Sequence, residues 1–285
     1  MEEVKLVKEH DSFLVEQQSK KAPVYWAVSL KNAWSGEVYS VVMNDYGYFH
    51  DDQYNEEALR ELAHEIAAEI DSPMQHPKLG EEGQLIPGKA RIILSEKELV
   101  DLLKTLPVGI PEALLPVYIT EPNVSEEEMQ GIDEQIIGQY KTYFNPQVTG
   151  RSQNILLSAQ EISNVVLGPG DQFSFNQTVG ERTVERGYQE ALEIINKEFV
   201  MGIGGGICQT SSTLFNAVEA AGLEIIERFT HSKSVGYVAE GRDATVSWGG
   251  PDFRFSNPFS FPVLIRTDVN LKRGEMKVII HTHKS

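Results

Sequence analysis

Between Met201 and Val218 the chain reads Met-Gly-Ile-Gly-Gly-Gly-Ile-Cys-Gln-Thr-Ser-Ser-Thr-Leu-Phe-Asn-Ala-Val, and this stretch restricts the backbone more than any other. Gly204, Gly205 and Gly206 run straight into Cys208, the only cysteine in 285 residues. Such a run predicts either a tight crossing or an opening through which a substrate backbone approaches the thiol. Helix-compatible residues follow, so a helix is expected over Gln209 to Ala221, with Leu214, Val218 and Ala221 inward and Gly222 closing it. A thiol at the first turn of a helix faces the positive end of the macrodipole, which favours thiolate over thiol. A cysteine retained only for packing more often sits inside an apolar run.

Charge divides the chain. Residues 1–140 hold 27 acidic and 11 basic side chains, a net of −16, whereas residues 141–285 hold 15 and 14, a net of −1. The split supports two units with different surfaces. It also argues against nucleic acid as a partner, because phosphate backbones call for a basic face. The apolar runs are short and interrupted, so no transmembrane segment is expected in this chain. The opening Met-Glu-Glu-Val-Lys has neither a basic start nor an apolar core, so no signal peptide is expected here. A single cysteine excludes an intrachain disulfide framework.

Residues 1–22 read as a flexible leader. Residues 23–120 read as an N-terminal α+β domain. In it Val24 to Phe49 is a hairpin turning at Ser35-Gly36, and Asn55 caps a helix with Leu59, Leu62, Ile66 and Ile70 on one face. Strands are expected at Pro77–Leu79, Ala90–Leu94 and Leu114–Ile119, with a helix opening at Ser95 and reaching Leu106. Residues 121–134 form a linker with Ser125 capping an acidic first turn. Residues 135–285 form a second domain. A helix is expected from Arg151 to Ser163, and strands at Glu224–Thr230, Ser234–Val238, Thr245–Trp248, Phe253–Phe255, Val263–Thr267 and Met276–His281. The fold class is α+β, with mixed or antiparallel sheets, packed helices and two domains.

A cysteine nucleophile needs a base, and the base an orienting partner. The segment Glu224-Ile-Ile-Glu-Arg-Phe-Thr-His231 ends in a histidine, and Gly241-Arg-Asp-Ala-Thr-Val246 places Asp243 beyond it. Cysteine at a helix start, then histidine, then an acid is the arrangement of papain-like and transglutaminase-like enzymes. Asp252 is an equally placed alternative third member. In this reading His231 draws the proton from Cys208, the thiolate attacks an amide carbonyl, and backbone N–H groups near Cys208 and Gln209 hold the oxyanion. Gly204, Gly205, Gly206, Gln209, Arg242 and Asp252 are the candidate substrate-binding residues. In the opposing reading the glycines form a tight crossing, Cys208 packs as a small hydrophobe and His231 caps a strand. His281 and His283 share a strand face, but a third ligand such as Glu275 is only a guess, so no metal is expected. The glycine run lacks a P-loop lysine and dinucleotide spacing, so no cofactor is expected either. Tyr140, Tyr143, Phe144, Phe173, Phe175 and Tyr188 read mostly as core, with one or two free to line a groove for sugar rings.

From Asn154 to Thr267 the chain resembles the VanW domain family. The matching pieces are Pro169-Gly-Asp-Gln-Phe-Ser-Phe-Asn176, Val179-Gly-Glu-Arg-Thr183, Arg186-Gly-Tyr188, Gly204 to Ala217, Ala221-Gly-Leu223, Glu227-Arg228, His231-Ser232, Gly241 to Val246 and Asp252-Phe-Arg-Phe255. Residues 55–120 resemble, more loosely, the module described as peptidoglycan-binding that often precedes such domains, through Glu57-Ala-Leu, Ile86-Pro-Gly88 and the helix after Ser95. Many proteins with this domain are exported and tethered to the envelope of Gram-positive bacteria. The resemblance therefore implies an extracytoplasmic location, with a cytoplasmic one as the alternative that the residues themselves leave open, and peptidoglycan or its stem peptide as partner. The acidic N-terminal half suits neutral glycan or peptide better than anionic wall polymers.

The expected function is a cell-envelope protein that acts on or binds peptidoglycan, with Cys208, His231 and Asp243 performing acyl transfer on stem-peptide amides. The alternatives are a wall- or partner-binding module with a structural Cys208, and a structural assembly protein of the envelope or spore.

Overall fold

The computed structural model describes residues 25–48, 54–195 and 198–284. The expected leader at 1–22 and the outer ends of the first hairpin, Val24 and Phe49, lie outside the described residues. In chain order the chain forms strands β1 (Ala27–Lys31) and β2 (Val38–Val42), helix α1 (Glu56–Ile70), and strands β3 (Lys78–Leu79), β4 (Leu85–Ile86) and β5 (Arg91–Leu94). Helix α2 (Glu96–Thr105) follows, then strands β6 (Glu112–Leu114), β7 (Val117–Thr120) and β8 (Gln135–Tyr143), helix α3 (Thr149–Ile162), and strands β9 (Val166–Leu167) and β10 (Gln172–Ser174). The short α4 (Phe175–Val179), strands β11 (Glu190–Ile195) and β12 (Glu198–Ile203), helix α5 (Ile207–Ala221), and strands β13 (Glu224–Glu227), β14 (Arg254–Ser256), β15 (Val263–Asn270) and β16 (Glu275–Thr282) complete it. The class is α+β.

Two compact units share these elements. One takes residues through 65 and 96–116, and the other takes 66–95 and everything from 117 onward. In the first, β1 pairs antiparallel with β2 and parallel with β6. Val28, Leu30 and Val41 are buried there, and the Trp26 indole donates to Ile110 O at 2.8 Å. Asn55 caps α1 by accepting from the N–H of Ala58 at 3.1 Å, which satisfies a donor the first helical turn leaves open.

In the second unit a four-stranded antiparallel sheet runs β8-β16-β15-β9. Helix α5 lies against β8 and β16, and α3 against β15 and α5. The approach is close at Gly138 of β8, where a Cβ would sit 2.4 Å from the carbonyl oxygen of Ala217, so only glycine lets helix and strand meet. Met276, Val278 and Ile280 of β16 point into the same core as Leu214, Ala217 and Val218 of α5, at the alternate-residue and helical spacings. A second antiparallel sheet, β10-β14-β13, adds Phe173, Phe253 and Phe255, whose rings stand 4.8 to 5.5 Å apart between centroids. Phe144, Phe175 and Tyr188 are also buried, whereas Tyr143 faces outward.

Three strands expected from sequence take another form. Leu114–Ile119 is two strands, because Pro116 has no N–H to give a ladder; β6 joins β1, and β7 pairs antiparallel with β5. Ser234–Val238 is turn and bend rather than strand. Thr245–Trp248 is reduced to one bridge, Phe229 to Thr245.

Candidate active site

The glycine run is explained by packing. Gly204 and Gly206 have φ of +100° and +112°, and all three glycines are buried. A Cβ on Gly205 would lie 2.5 Å from Ala191 O of β11, and one on Gly206 would lie 2.8 Å from Arg151 Cγ of α3. The glycines therefore let the turn from β12 into α5 nest between a hairpin and a helix. Of the two forms expected of this run, the geometry is that of the tight crossing.

Helix α5 is unusual in burying Gln209, Thr210, Ser211, Ser212, Thr213 and Asn216 along with its apolar face. Buried polar groups of this kind need partners, and here the partners are structural. Ser212 Oγ accepts from the N–H of Ala244 at 2.8 Å, Ser211 Oγ donates to Ala244 O at 2.5 Å, and Asn216 Nδ2 donates to Arg242 O at 2.8 Å. The segment 242–246, which forms no strand, is thus clamped along the helix. That clamp sets Asp243, Thr245 and Val246 around the first turn of α5.

There the three residues meet. His231 Nδ1–H donates to Asp243 Oδ2 at 2.5 Å, and the same oxygen accepts from the His231 backbone N–H at 2.6 Å. The two side chains are only 6% and 8% exposed. With Nδ1 engaged by Asp243, the other ring nitrogen is the one left to act on Cys208, whose thiol interacts electrostatically with the His231 ring. Cys208 is half-buried, and its Sγ lies 3.4 Å from Val246 O, 3.5 Å from Val246 N and 3.8 Å from Thr245 Oγ1.

Burial pushes the Cys208 thiol up, but the hydrogen bond and charge of His231, helped by Val246 and Thr245, outweigh it and leave the thiol below its ordinary value. Burial pulls the His231 imidazole down, and the bonds and charges of Cys208 and then Asp243 reverse that, leaving it raised. Both directions favour a thiolate–imidazolium pair.

The other expected residues fall elsewhere. Asp252 does not reach His231: its oxygens accept from Ser174 Oγ at 2.6 Å and from the N–H groups of Asn176 and Phe253 at 2.8 Å, which fixes the start of α4. Arg242 is spent on the other end of α5, with Nε donating to Asn216 Oδ1 at 2.7 Å and an ion pair to Glu219. Gln209 is a buried strut. Its Oε1 accepts from Arg151 at 2.8 Å, its Nε2 donates to Thr142 and Tyr143 at 3.0 Å, and its own N–H goes to Gly206 O at 2.9 Å. The Gln209 N–H, expected among the oxyanion donors, is thus already bonded. His281 Nδ1 bonds Asp133 O at 3.1 Å, and His283 packs edge-on against Phe261. A cavity of about 870 Å³ is lined by Asp252, Asn176, Trp248 and Arg254, and Cys208, His231 and Asp243 take no part in it.

Residues that sequence reasoning did not assign to the site are Thr245, Val246, Arg151, Arg182 and Tyr237. Arg182, Thr245 and Val246 lie in stretches that carry the family resemblance, the one signal that marks them. Among the described residues no helix is long and apolar enough to cross a membrane.

Comparison with known proteins agrees with the resemblance. Over 195 residues, 66% of this chain and 63% of the relative, the chain is 47% identical to the uncharacterized protein YoaR of Bacillus subtilis (strain 168). Over 109 residues, 36% of this chain and 40% of the relative, it is 30% identical to the vancomycin B-type resistance protein VanW of Enterococcus faecalis (strain ATCC 700802 / V583). The chain thus spans less than two thirds of either relative's length. No solved structure gives a significant match. The family model of VanW-like proteins matches residues 150–280, which hold Arg151, Arg182, Cys208, His231 and Asp243, and the chain carries a VanW-like domain there.

Proposed function

We propose that this domain is a cysteine-dependent acyl transferase of the bacterial envelope, acting on amide bonds of the peptidoglycan stem peptide. One observation supports the reading: Asp243 fixes the His231 ring at 2.5 Å, and that imidazole acts on the Cys208 thiol, which lies below its ordinary value. Structural cysteines have no use for such a relay.

In the reaction His231 takes the thiol proton on the nitrogen opposite Asp243. The thiolate attacks the amide carbonyl, an S–C bond forms, and the electron pair moves to oxygen. The Cys208 N–H and the positive end of α5 stabilise that oxyanion. Collapse breaks the C–N bond, and the imidazolium returns its proton to the leaving amine. Water or an acceptor amine then resolves the thioester and restores the thiol.

The substrate class rests on kinship with a protein named for vancomycin resistance, together with the acidic N-terminal half, which suits a neutral glycopeptide. The region preceding the domain would dock it on the wall, on the extracytoplasmic side, with no role for nucleic acid. The test is mass spectrometry of muropeptides incubated with the protein. Wild type should yield new termini or exchanged stem peptides and a thioester mass on Cys208. Cys208→Ser should lose turnover of cleaved or exchanged products while melting normally. Turnover unaffected by that change, or its absence across amide-containing muropeptides, would sink the proposal.

A further inference from the structure

Two arginines flank the glycine turn beside the thiol, and the relay uses neither. Arg151 of α3 passes so close to Gly206 that a Cβ there would lie 3.5 Å from its Nη1. Arg182 crosses Gly204 in the same way, 3.2 Å from Cβ to Cβ. Each spends one nitrogen on a neutral side chain, Arg151 Nη2 on Gln209 Oε1 at 2.8 Å and Arg182 Nη2 on Asn176 Oδ1 at 2.7 Å. Neither forms an ion pair among the described residues, and Arg182 Nη1 is buried without a hydrogen-bond partner. A Cys208 thiolate is an opposite charge near both guanidiniums, but the hydrogen bonds of its sulfur are to Thr245 and Val246, so it occupies none of their N–H groups. Asp252 is Arg182's nearby opposite charge, but its oxygens already accept from Ser174, Asn176 and Phe253. Aromatic rings hold the guanidiniums in place: Arg151 stands 5.7 Å over Tyr237 and Arg182 stands 5.8 Å over Phe175.

A partly buried guanidinium with no ion pair to bond its fork is costly to keep, and that planar fork is suited to a carboxylate. We infer that Arg151 and Arg182 bind the free carboxylate of the acyl donor, which makes the substrate a peptide cut or exchanged at its C-terminal residue. This deepens the acyl-transfer reading and rests on it. The thiolate attacks the carbonyl of the penultimate residue, the C–N bond to the terminal residue breaks, and His231 supplies the proton to that amine. The released amino acid carries the carboxylate away from the arginines, and water or an acceptor amine opens the thioester.

The test compares two alkylating probes that differ only in charge, chloroacetylglycine and chloroacetylglycinamide, on the full chain. The ratio of their rates at Cys208 should exceed the ratio measured on 2-mercaptoethanol by on the order of tenfold. N-acetylglycine should protect Cys208, and N-acetylglycinamide should not. In Arg182→Gln and Arg151→Gln the ratio should collapse towards that of 2-mercaptoethanol, and Arg182→Lys should recover part of it. Should those variants fail to fold, the protection pattern on wild type decides alone. Fast labelling by both probes with no preference for the acid overturns this inference and leaves the acyl-transfer reading standing. Protection by inorganic phosphate equal to that by N-acetylglycine overturns the carboxylate assignment. A thiol silent to both probes until denaturant is added overturns the acyl-transfer reading and this one with it.

Discussion

Asp243 accepts two bonds from one residue, the backbone N–H and the ring Nδ1–H of His231. That double bond fixes both the position of the histidine and the face its other nitrogen presents. The consequence is measurable as the pH dependence of iodoacetamide alkylation. Because the folded thiol lies below its ordinary value, thiolate persists to lower pH, and the wild-type rate should stay high well below the free-thiol range. His231→Ala leaves burial to push the thiol up, so alkylation at pH 6 should slow by on the order of tenfold or more. Asp243→Asn should move the profile the same way by less, since the imidazole remains. Superimposable profiles for the three proteins would show that the relay does not govern the thiol. At this scale the three candidate residues were legible as candidates, because a cysteine before a helix, a later histidine and an aspartate are chemically distinctive. Choosing Asp243 over Asp252 was not, since both follow His231 in loops of similar character and only their bonding partners differ.

Helix α5 shows why an element's role is harder to read than its span. Its limits come from Gly206 and Gly222, and sequence spacing locates them to within two residues. Its polar residues look like a solvated face: Gln209, Thr210, Ser211, Ser212, Thr213 and Asn216 in a helix invite that interpretation. All are buried, because α3, β8 and the segment 242–246 surround the helix and accept its hydroxyls. Thr142 and Thr213 meet at 2.8 Å, and Ser158 and Thr210 at 2.7 Å, pairs whose members are far apart in sequence. The turn that feeds the helix is equally unforgiving. Gly206→Ala forces a φ of +112° on a residue with a Cβ and drives that Cβ into Arg151, so it should cost about 1–3 kcal/mol. Urea unfolding measures it, and an unchanged midpoint would mean the turn relaxes freely.

For the molecule as a whole, the surprise is the segment 66–95, which packs with the C-terminal half. Leu79 N–H donates to Asn164 O at 2.8 Å and Val166 N–H to Pro77 O at 2.9 Å. Leu79 shares a core with Met129, Ile132, Val166 and Leu264. His76 stacks on Phe173 at 6.3 Å and bonds Gln172 O at 2.9 Å, while its Nδ1 is buried without a partner. Burial, opposed by the Gln172 bond, pulls the His76 imidazole down to about 4. A depressed histidine contributes stability that is present above its unfolded value of about 6.5 and is lost as pH falls towards 4. Melting temperature should therefore drop across that window, and His76→Gln should flatten the drop by an amount on the order of 2 kcal/mol. Parallel pH curves for the two proteins would remove His76 as the cause.

The sequence by itself determined the α+β class, the helix that carries Cys208, the order of cysteine, histidine and acid, and the VanW-like domain at residues 150–280. Those features are local: periodicity, caps and motif residues are written within a few positions of one another. Only the tertiary structure decided that the glycines pack against β11 and α3, that Asp243 rather than Asp252 bonds His231, and that Arg182 keeps a buried nitrogen without a partner. It also decided that Pro116 sends its flanking strands to different sheets and that residues 66–95 join the later half. Each depends on which groups from distant parts of the chain meet and satisfy one another's hydrogen bonds, and no spacing along the sequence specifies that.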